Sequence, residues 1–326
     1  MKKLGWLTQW QRTAQRQLMT AFGTIKYFQR PPVLVIDPGS YRVNGTDCRT
    51  LLGVLQPGDI LLRGYTHFID GWFIRRSVIT DPKGPKQIFP GTFTHVAMYV
   101  GPLTADDAPR IAADLKGYSF DTGQEPAGED ALEKIKKEMR DKYIDAITAD
   151  NQMVIHAMAD GVKIEDILTF TRCDQLVVLR LPKVIVRQTD DVLAPTPIDQ
   201  RMPAESKAIE GALLRDESVE RQTVIAEVIR LALGKVGAEY DFACNDTKEH
   251  HYFSCAELVY FCFASVRTFL AISCWEHAFL RLFGRRVTIT PDDFLYSNLE
   301  LVWHSSSLNH WKETVWEKIR EKAQAR

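Results

Sequence analysis

The stretch His-Val-Ala-Met-Tyr-Val-Gly at residues 95–101 decides how this chain is organised. On an extended backbone successive side chains point to opposite faces, so His95, Ala97 and Tyr99 share one face and three aliphatic side chains share the other. Gly101-Pro102 stops the run. The pattern predicts a strand over residues 92–101 with a histidine near its start.

Further predicted strands, each marked by a turn, come before and after this strand in the sequence. Pro57-Gly58-Asp59 predicts a turn leading into an apolar strand, and Asp160-Gly161 predicts a turn between two short strands. Helical patterns interrupt and follow them, over about 129–148, about 217–234, and from Ser254 or Cys255 to beyond Val266. Short strands that form an antiparallel sheet, with the helices segregated around it, indicate an α+β fold.

Composition narrows the class of protein. The 326 residues include 41 Lys+Arg and 42 Asp+Glu, and hydrophobic residues make up 45%, which excludes a wholly disordered chain. The near-neutral total argues against a nucleic-acid partner, because such binders need an excess of positive charge. The six cysteines include no CxxC pair, so we expect free thiols in a reducing, cytoplasmic compartment.

The chain divides into a central domain and two terminal helices. Residues 1–32 predict a basic amphipathic helix, residues 33–303 the central domain with an inserted segment at 103–150, and residues 304–326 a C-terminal helix. The first 30 residues carry six basic side chains and no acidic one. This helix is expected to dock on its own domain, and the alternative is peripheral contact of residues 1–30 with an anionic membrane.

Three side chains stand out as candidates for chemistry. Cys255 lies at a predicted helix start, where unpaired N–H groups and the positive end of the helix dipole stabilise a thiolate. A cysteine nucleophile needs a base, and the base needs an orienting group. His95 and His156 lie on strands that are predicted to be neighbours and to bring the two rings together. The plainer alternative is a small buried residue on a core helix and two structural histidines.

The order of these motifs resembles a known superfamily, the NlpC-type papain-like cell-wall amidases. The matching segments are Leu-Gln-Pro-Gly-Asp at 55–59, the His95 strand, Ile-His-Ala at 155–157, and Tyr-Asp-Phe at 240–242 leading to Ser-Cys-Ala-Glu-Leu-Val at 254–259. The cysteine element comes last instead of first. This order is similar to the circularly permuted, YiiX/YaeF-like branch, which is related to the lecithin:retinol acyltransferase-like enzymes.

The resemblance implies a circularly permuted papain-like fold and a thiol hydrolase, a cysteine peptidase or amidase that acts without metal or cofactor. Cys255 would be the nucleophile, His95 its base, His156 the group that orients the imidazole, and Tyr240 a donor to the oxyanion. The substrate would be a peptide, another amide or an acyl lipid. Two alternatives stay open: a lipid acyltransferase or deacylase at a membrane surface, and a non-catalytic binding module on the same fold.

Overall fold

The computed structural model describes most of the chain. The described ranges are 25–29, 32–36, 41–66, 77–80, 91–116, 129–148, 151–187, 202–242, 252–279 and 285–309, with the isolated positions Ala14, Gln17, Ile74, Gly84 and Cys244.

A six-stranded sheet forms the centre of the described structure. Its strand order is β13-β8-β3-β5-β6-β7, and every neighbouring pair is antiparallel. The strands are β3 (Ile60–Gly64), β5 (His95–Pro102), β6 (Gln152–Met158), β7 (Gly161–Asp166), β8 (Gln175–Arg180) and β13 (Glu300–His304). A mixed α/β architecture with a mainly antiparallel sheet agrees with the expected α+β class.

Two strand pairs, a three-stranded sheet and the helices make up the rest of the described regular structure. The further strands are β1 (Ile25–Gln29), β2 (Pro32–Ile36), β4 (Ser77–Ile79), β9 (Val184–Ile185), β10 (Val219–Glu220), β11 (Trp275–Phe279) and β12 (Arg285–Thr288). The α-helices are α1 (Gly45–Leu52), α2 (Glu129–Lys142), α3 (Ile144–Thr148), α4 (Ile167–Phe170), α5 (Ala204–Leu214), α6 (Arg221–Gly234) and α7 (Cys255–Cys262).

The Pro-Gly-Asp turn fixes β3 beside β5. Gly58 adopts φ +88°, a conformation that L side chains rarely adopt, and its N–H donates to the Tyr99 carbonyl at 2.8 Å. The Asp59 carboxylate is 1% exposed and accepts two hydrogen bonds from the Arg180 guanidinium, both at 2.7 Å. The motif therefore ties three strands together, because Asp59 precedes β3, contacts β8 and also bonds through its backbone to β5.

The sheet separates two apolar clusters, as the alternation along β5 predicts. Val96 and Met98 belong to the larger cluster, which includes residues of α6 and α7. Ala97 and Tyr99 belong to the smaller cluster, which includes residues of α1 and α4. The two faces of β5 therefore pack against different elements, α6 and α7 on one side and α1 and α4 on the other.

Several predicted elements differ in the structure. Residues 25–29 form a strand paired with β2, so the helix predicted over residues 1–32 does not reach its expected end; Ala14 and Gln17 are helical, and the rest of that segment lies outside the described residues. Helix α7 ends at Cys262 instead of continuing beyond Val266. Of the predicted C-terminal helix at 304–326, the described part contains the end of β13 and one turn of 3₁₀ helix, Ser306–Leu308.

The inserted segment packs on the domain where it is described. Helices α2 and α3 occupy the predicted charged helical stretch. Ile111, Ala112 and Tyr143 lie in the larger apolar cluster, and the Ile164 N–H donates to the Tyr143 hydroxyl at 3.3 Å. No described helix is both long and apolar enough to cross a bilayer.

Candidate active site

The site begins where β5 and β6 stop pairing. The ladder between them ends at Met98 and Ile155, whereas β5 starts at His95 and β6 continues to Met158. Backbone groups and side chains of the unpaired residues on β5 are therefore available to other partners. His95 and His156 both lie where β5 and β6 no longer pair with each other, although each pairs on its other side, His95 with Arg63 and His156 with Lys163.

The two imidazoles are in direct contact, as the sequence predicts. His95 Nε2 and His156 Nδ1 are 2.7 Å apart, and the rings meet edge to face with centroids 5.0 Å apart. His95 is 7% exposed and His156 is fully buried. One nitrogen of each ring is used in this contact, so Nδ1 is the nitrogen of His95 that can serve another group.

Arg63 and Phe170 surround the histidine pair on the side of the smaller cluster. The Arg63 guanidinium lies 4.2 Å from the Phe170 ring centroid and donates to the Phe170 carbonyl at 3.1 Å. Burial lowers the pKa of both His95 and His156 well below the usual 6.5, and the positive charge of Arg63 lowers both further. Both imidazoles are therefore neutral at pH 7, which is the state that a general base needs.

Glu165 extends the pair toward the surface, and our sequence reasoning missed it. Its Oε2 lies 3.5 Å from His156 Nε2 and 3.9 Å from Arg63 Nη1, and its side chain is 20% exposed. The tight Asp160-Gly161 turn in the sequence could have predicted its position, because the turn fixes which residues of β6 and β7 lie opposite each other. Counting outward from that turn places Lys163 opposite His156 and Glu165 one diagonal step further along the same face.

A capping box starts helix α7 at the candidate nucleophile. The Ser254 hydroxyl accepts from the Glu257 N–H at 3.3 Å, and the Glu257 carboxylate accepts from the Ser254 N–H at 2.9 Å. This reciprocal pair fixes Cys255 as the first helical residue. The backbone N–H of Cys255 consequently belongs to the first turn, whose N–H groups have no intrahelical acceptor.

The Cys255 thiol contacts the backbone of β5 next to His95. Cys255 is 4% exposed and packs in the larger apolar cluster, on the side of β5 opposite Phe170. Its sulfur accepts from the backbone N–H groups of Val96 and Ala256. Val96 follows His95 directly, so the thiol lies beside the backbone of the candidate base. Among the described residues, no hydrogen bond joins the Cys255 sulfur to an imidazole nitrogen.

Burial decides the protonation of this thiol. It raises the pKa of Cys255 from 9.0 to about 11, although the N–H groups of Val96 and Ala256 and the Arg63 charge oppose the rise. The expectation that the helix start would favour a thiolate is therefore not met, because loss of solvation outweighs the stabilisation by the helix dipole and its N–H groups. At rest the site holds a neutral thiol and neutral imidazoles.

Burial raises the pKa of Tyr240 well above 10, and negative charge on the nearby Cys255 raises it further. The Phe253 N–H donates to the Glu239 carbonyl at 3.1 Å, which ties the segment before Tyr240 to the segment before helix α7. The ring packs edge to face on Phe242 at 5.0 Å. Because the phenol stays protonated, its hydroxyl can donate a hydrogen bond, as an oxyanion donor must.

Four other cysteines are less suited to chemistry. Burial raises the pKa of Cys173 and of Cys274 to about 12, and it also raises the pKa of Cys262 and of Cys244 well above the usual value. Among the described cysteines whose pKa is raised, Cys255 is raised least.

Comparison with known proteins found no matching family model, no matching curated protein and no matching solved structure. The site itself consists of a cysteine at a helix N-terminus, whose sulfur bonds to the backbone N–H that follows His95, and a hydrogen-bonded pair of histidines on an antiparallel sheet.

Proposed function

We propose that this protein is a thiol hydrolase that cleaves an amide or ester bond through an acyl-enzyme on Cys255, on a circularly permuted papain-like (NlpC-type) fold. The observation that carries the proposal is that the Cys255 sulfur accepts from the N–H of Val96, the residue that follows His95, and that His95 forms a 2.7 Å pair with His156. Arg63 supports the proposal, because its charge acts on the pKa of all three groups.

In the first half-reaction the substrate carbonyl enters between the thiol and the helix N-terminus. His95 Nδ1 takes the thiol proton as the sulfur attacks the carbonyl carbon, and the carbonyl π electrons move to oxygen. The N–H of Cys255 and the Tyr240 hydroxyl donate to that oxyanion. The tetrahedral species then expels the amine or alkoxide, which takes the proton from His95, and leaves a thioester on Cys255.

In the second half-reaction a water replaces the departed group. His95 Nδ1 accepts a proton from the water as its oxygen attacks the thioester carbonyl, and collapse releases the carboxylic acid while the sulfur regains its proton. His156 bonds to His95 Nε2 throughout and stabilises the positive charge that forms on the imidazole. The resting site is neutral, so proton transfer accompanies sulfur attack instead of preceding it.

The proposal is tested by acyl-enzyme formation. The full-length protein is incubated with p-nitrophenyl esters of N-acyl amino acids and of fatty acids, and intact mass reports each covalent adduct. We expect one acyl group on Cys255, absent in Cys255→Ser and reduced at least a hundredfold in rate in His95→Ala. Cys48→Ser, which removes a partly exposed thiol elsewhere, serves as the matched control and should acylate normally.

The two ester series also separate the possible substrates. Preference for aminoacyl esters supports a peptidase or amidase, and preference for fatty acyl esters supports lipid acyl chemistry. A folded protein that acquires no adduct on Cys255 from either series would contradict hydrolysis and favour a binding module.

A further inference from the structure

We propose that Glu165 is a positioning residue that sets the tautomers of the histidine pair, so that His95 presents an unprotonated Nδ1 to the Cys255 thiol. This inference rests on the proposed function for its consequence in catalysis. Its structural part, which proton sits on which ring nitrogen, is measurable without any substrate.

The starting point is a buried polar atom that lacks a partner. His156 is fully buried, its Nδ1 is bonded to His95, and its Nε2 has no hydrogen-bond partner within the described structure. The Glu165 carboxylate lies 3.5 Å from that Nε2. This separation is slightly longer than a hydrogen bond, and a small side-chain rotation of the partly exposed Glu165 closes it.

Two neutral arrangements of the pair are possible, and they have opposite consequences. In the first, His156 carries its proton on Nε2, its Nδ1 accepts from His95 Nε2–H, and His95 Nδ1 is a free base. In the second, His156 carries its proton on Nδ1 and donates to His95 Nε2, so that His95 is protonated on Nδ1 and cannot accept the thiol proton. The 2.7 Å contact fits both arrangements equally well.

The carboxylate distinguishes the two arrangements. A carboxylate near His156 Nε2 attracts an N–H on that nitrogen and repels a lone pair there. This preference is strong because the nitrogen is buried and solvent does not screen the charge. Arg63 Nη1 lies 3.9 Å from one oxygen of Glu165 and Lys163 Nζ lies 3.8 Å from the other, and these two cations hold the carboxylate in place. The arrangement with a free His95 Nδ1 is the one this geometry selects.

Glu165 has an alternative, purely structural role, as the counterion of Arg63. The test therefore needs a readout that ion pairing alone would not move. The nitrogen chemical shifts of ¹⁵N-labelled histidines, recorded on the full chain near pH 7.5, distinguish a protonated ring nitrogen from an unprotonated one. The His95 and His156 signals are assigned from His95→Gln and His156→Gln samples.

Three variants resolve the contribution of the carboxylate. Glu165→Met removes both charge and acceptor at similar length, and Glu165→Gln removes the charge but keeps an acceptor oxygen. Asp160→Asn is the matched control, because it removes a carboxylate that contacts Lys163 on the same hairpin without facing a histidine.

We expect Nε2–H on both rings in the wild type and in Asp160→Asn, a shift of the proton to Nδ1 in Glu165→Met, and substantial retention of the wild-type pattern in Glu165→Gln. In the ester assay, kcat should fall about 10- to 100-fold in Glu165→Met with little change in KM, as for other groups that orient a functional histidine. A wild-type spectrum with the proton on His95 Nδ1, or an unchanged spectrum in a folded Glu165→Met protein, would overturn the proposal.

The tautomer measurement can succeed or fail independently of the proposed hydrolysis. If Cys255 never acylates while the tautomers respond to Glu165 as expected, the hydrolase proposal fails and the positioning role stands. If acylation depends on His95 but the tautomers ignore Glu165, the reverse holds.

Discussion

The protonation of Cys255 gives the sharpest prediction from this structure. Burial raises the thiol pKa from 9.0 to about 11, so about one molecule in ten thousand carries the thiolate at pH 7. This is about 100-fold less than for a thiol of ordinary pKa and corresponds to about 3 kcal/mol. Alkylation of Cys255 should therefore be slow at pH 7 and should accelerate about tenfold per pH unit up to about pH 11.

The assay is iodoacetamide labelling followed by peptide mapping, from pH 6 to pH 10, with a small free thiol as the external reference. The slope against pH is the diagnostic quantity, because limited access to a buried sulfur lowers the rate equally at every pH. His95→Ala should leave this slope unchanged, since alkylation uses the thiolate already present. The same variant should slow ester cleavage by about 10²- to 10⁴-fold, since that step uses the base.

A rate that levels off below pH 7, and loses this plateau in His95→Ala, would refute the reasoning. It would mean that a thiolate–imidazolium pair already exists at rest, so that attraction between the charges exceeds the cost of burying them. Cys255 would then still be the nucleophile, but it would react as a thiolate that already exists before substrate binds.

Three further outcomes follow from the packing around the site. Gly58→Ala should lower the free energy of unfolding by about 1–3 kcal/mol in urea titrations, because φ is +88° and the new Cβ would lie 2.6 Å from an isoleucine side-chain carbon. Arg180→Met should cost about 3–5 kcal/mol, since it strands the buried Asp59 carboxylate; adding Asp59→Asn should recover part of the loss, and no recovery would argue against the ion pair as the cause. The depressed pKa of the two histidines means that the unfolded chain binds protons more readily, so stability should be complete above about pH 6.5 and decline as the pH falls toward the folded pKa. Replacing His156 with Gln should flatten that decline in pH-dependent thermal melts, and an unaltered slope would contradict the assignment.

Much of the local structure could be predicted from short patterns. The alternation along β5, the turns at Gly58 and Gly161 and the helical start at Cys255 depend on backbone geometry and on neighbours a few residues apart, which a linear pattern records. The expected length of helix α7 was wrong because an apolar run cannot by itself distinguish a continuing helix from buried turns.

The sequence by itself singled out Cys255, His95 and His156 as candidates, and it determined that His95 and His156 belong to strands of one sheet. Only the tertiary structure decided that β5 and β6 separate at these two residues, that Arg63 and Glu165 flank the histidine pair, and that the Cys255 thiol is protonated. These properties depend on burial and on charges from segments far apart in the chain. Desolvation and Coulomb interactions sum over everything nearby in space, and no local spacing of residues encodes that sum.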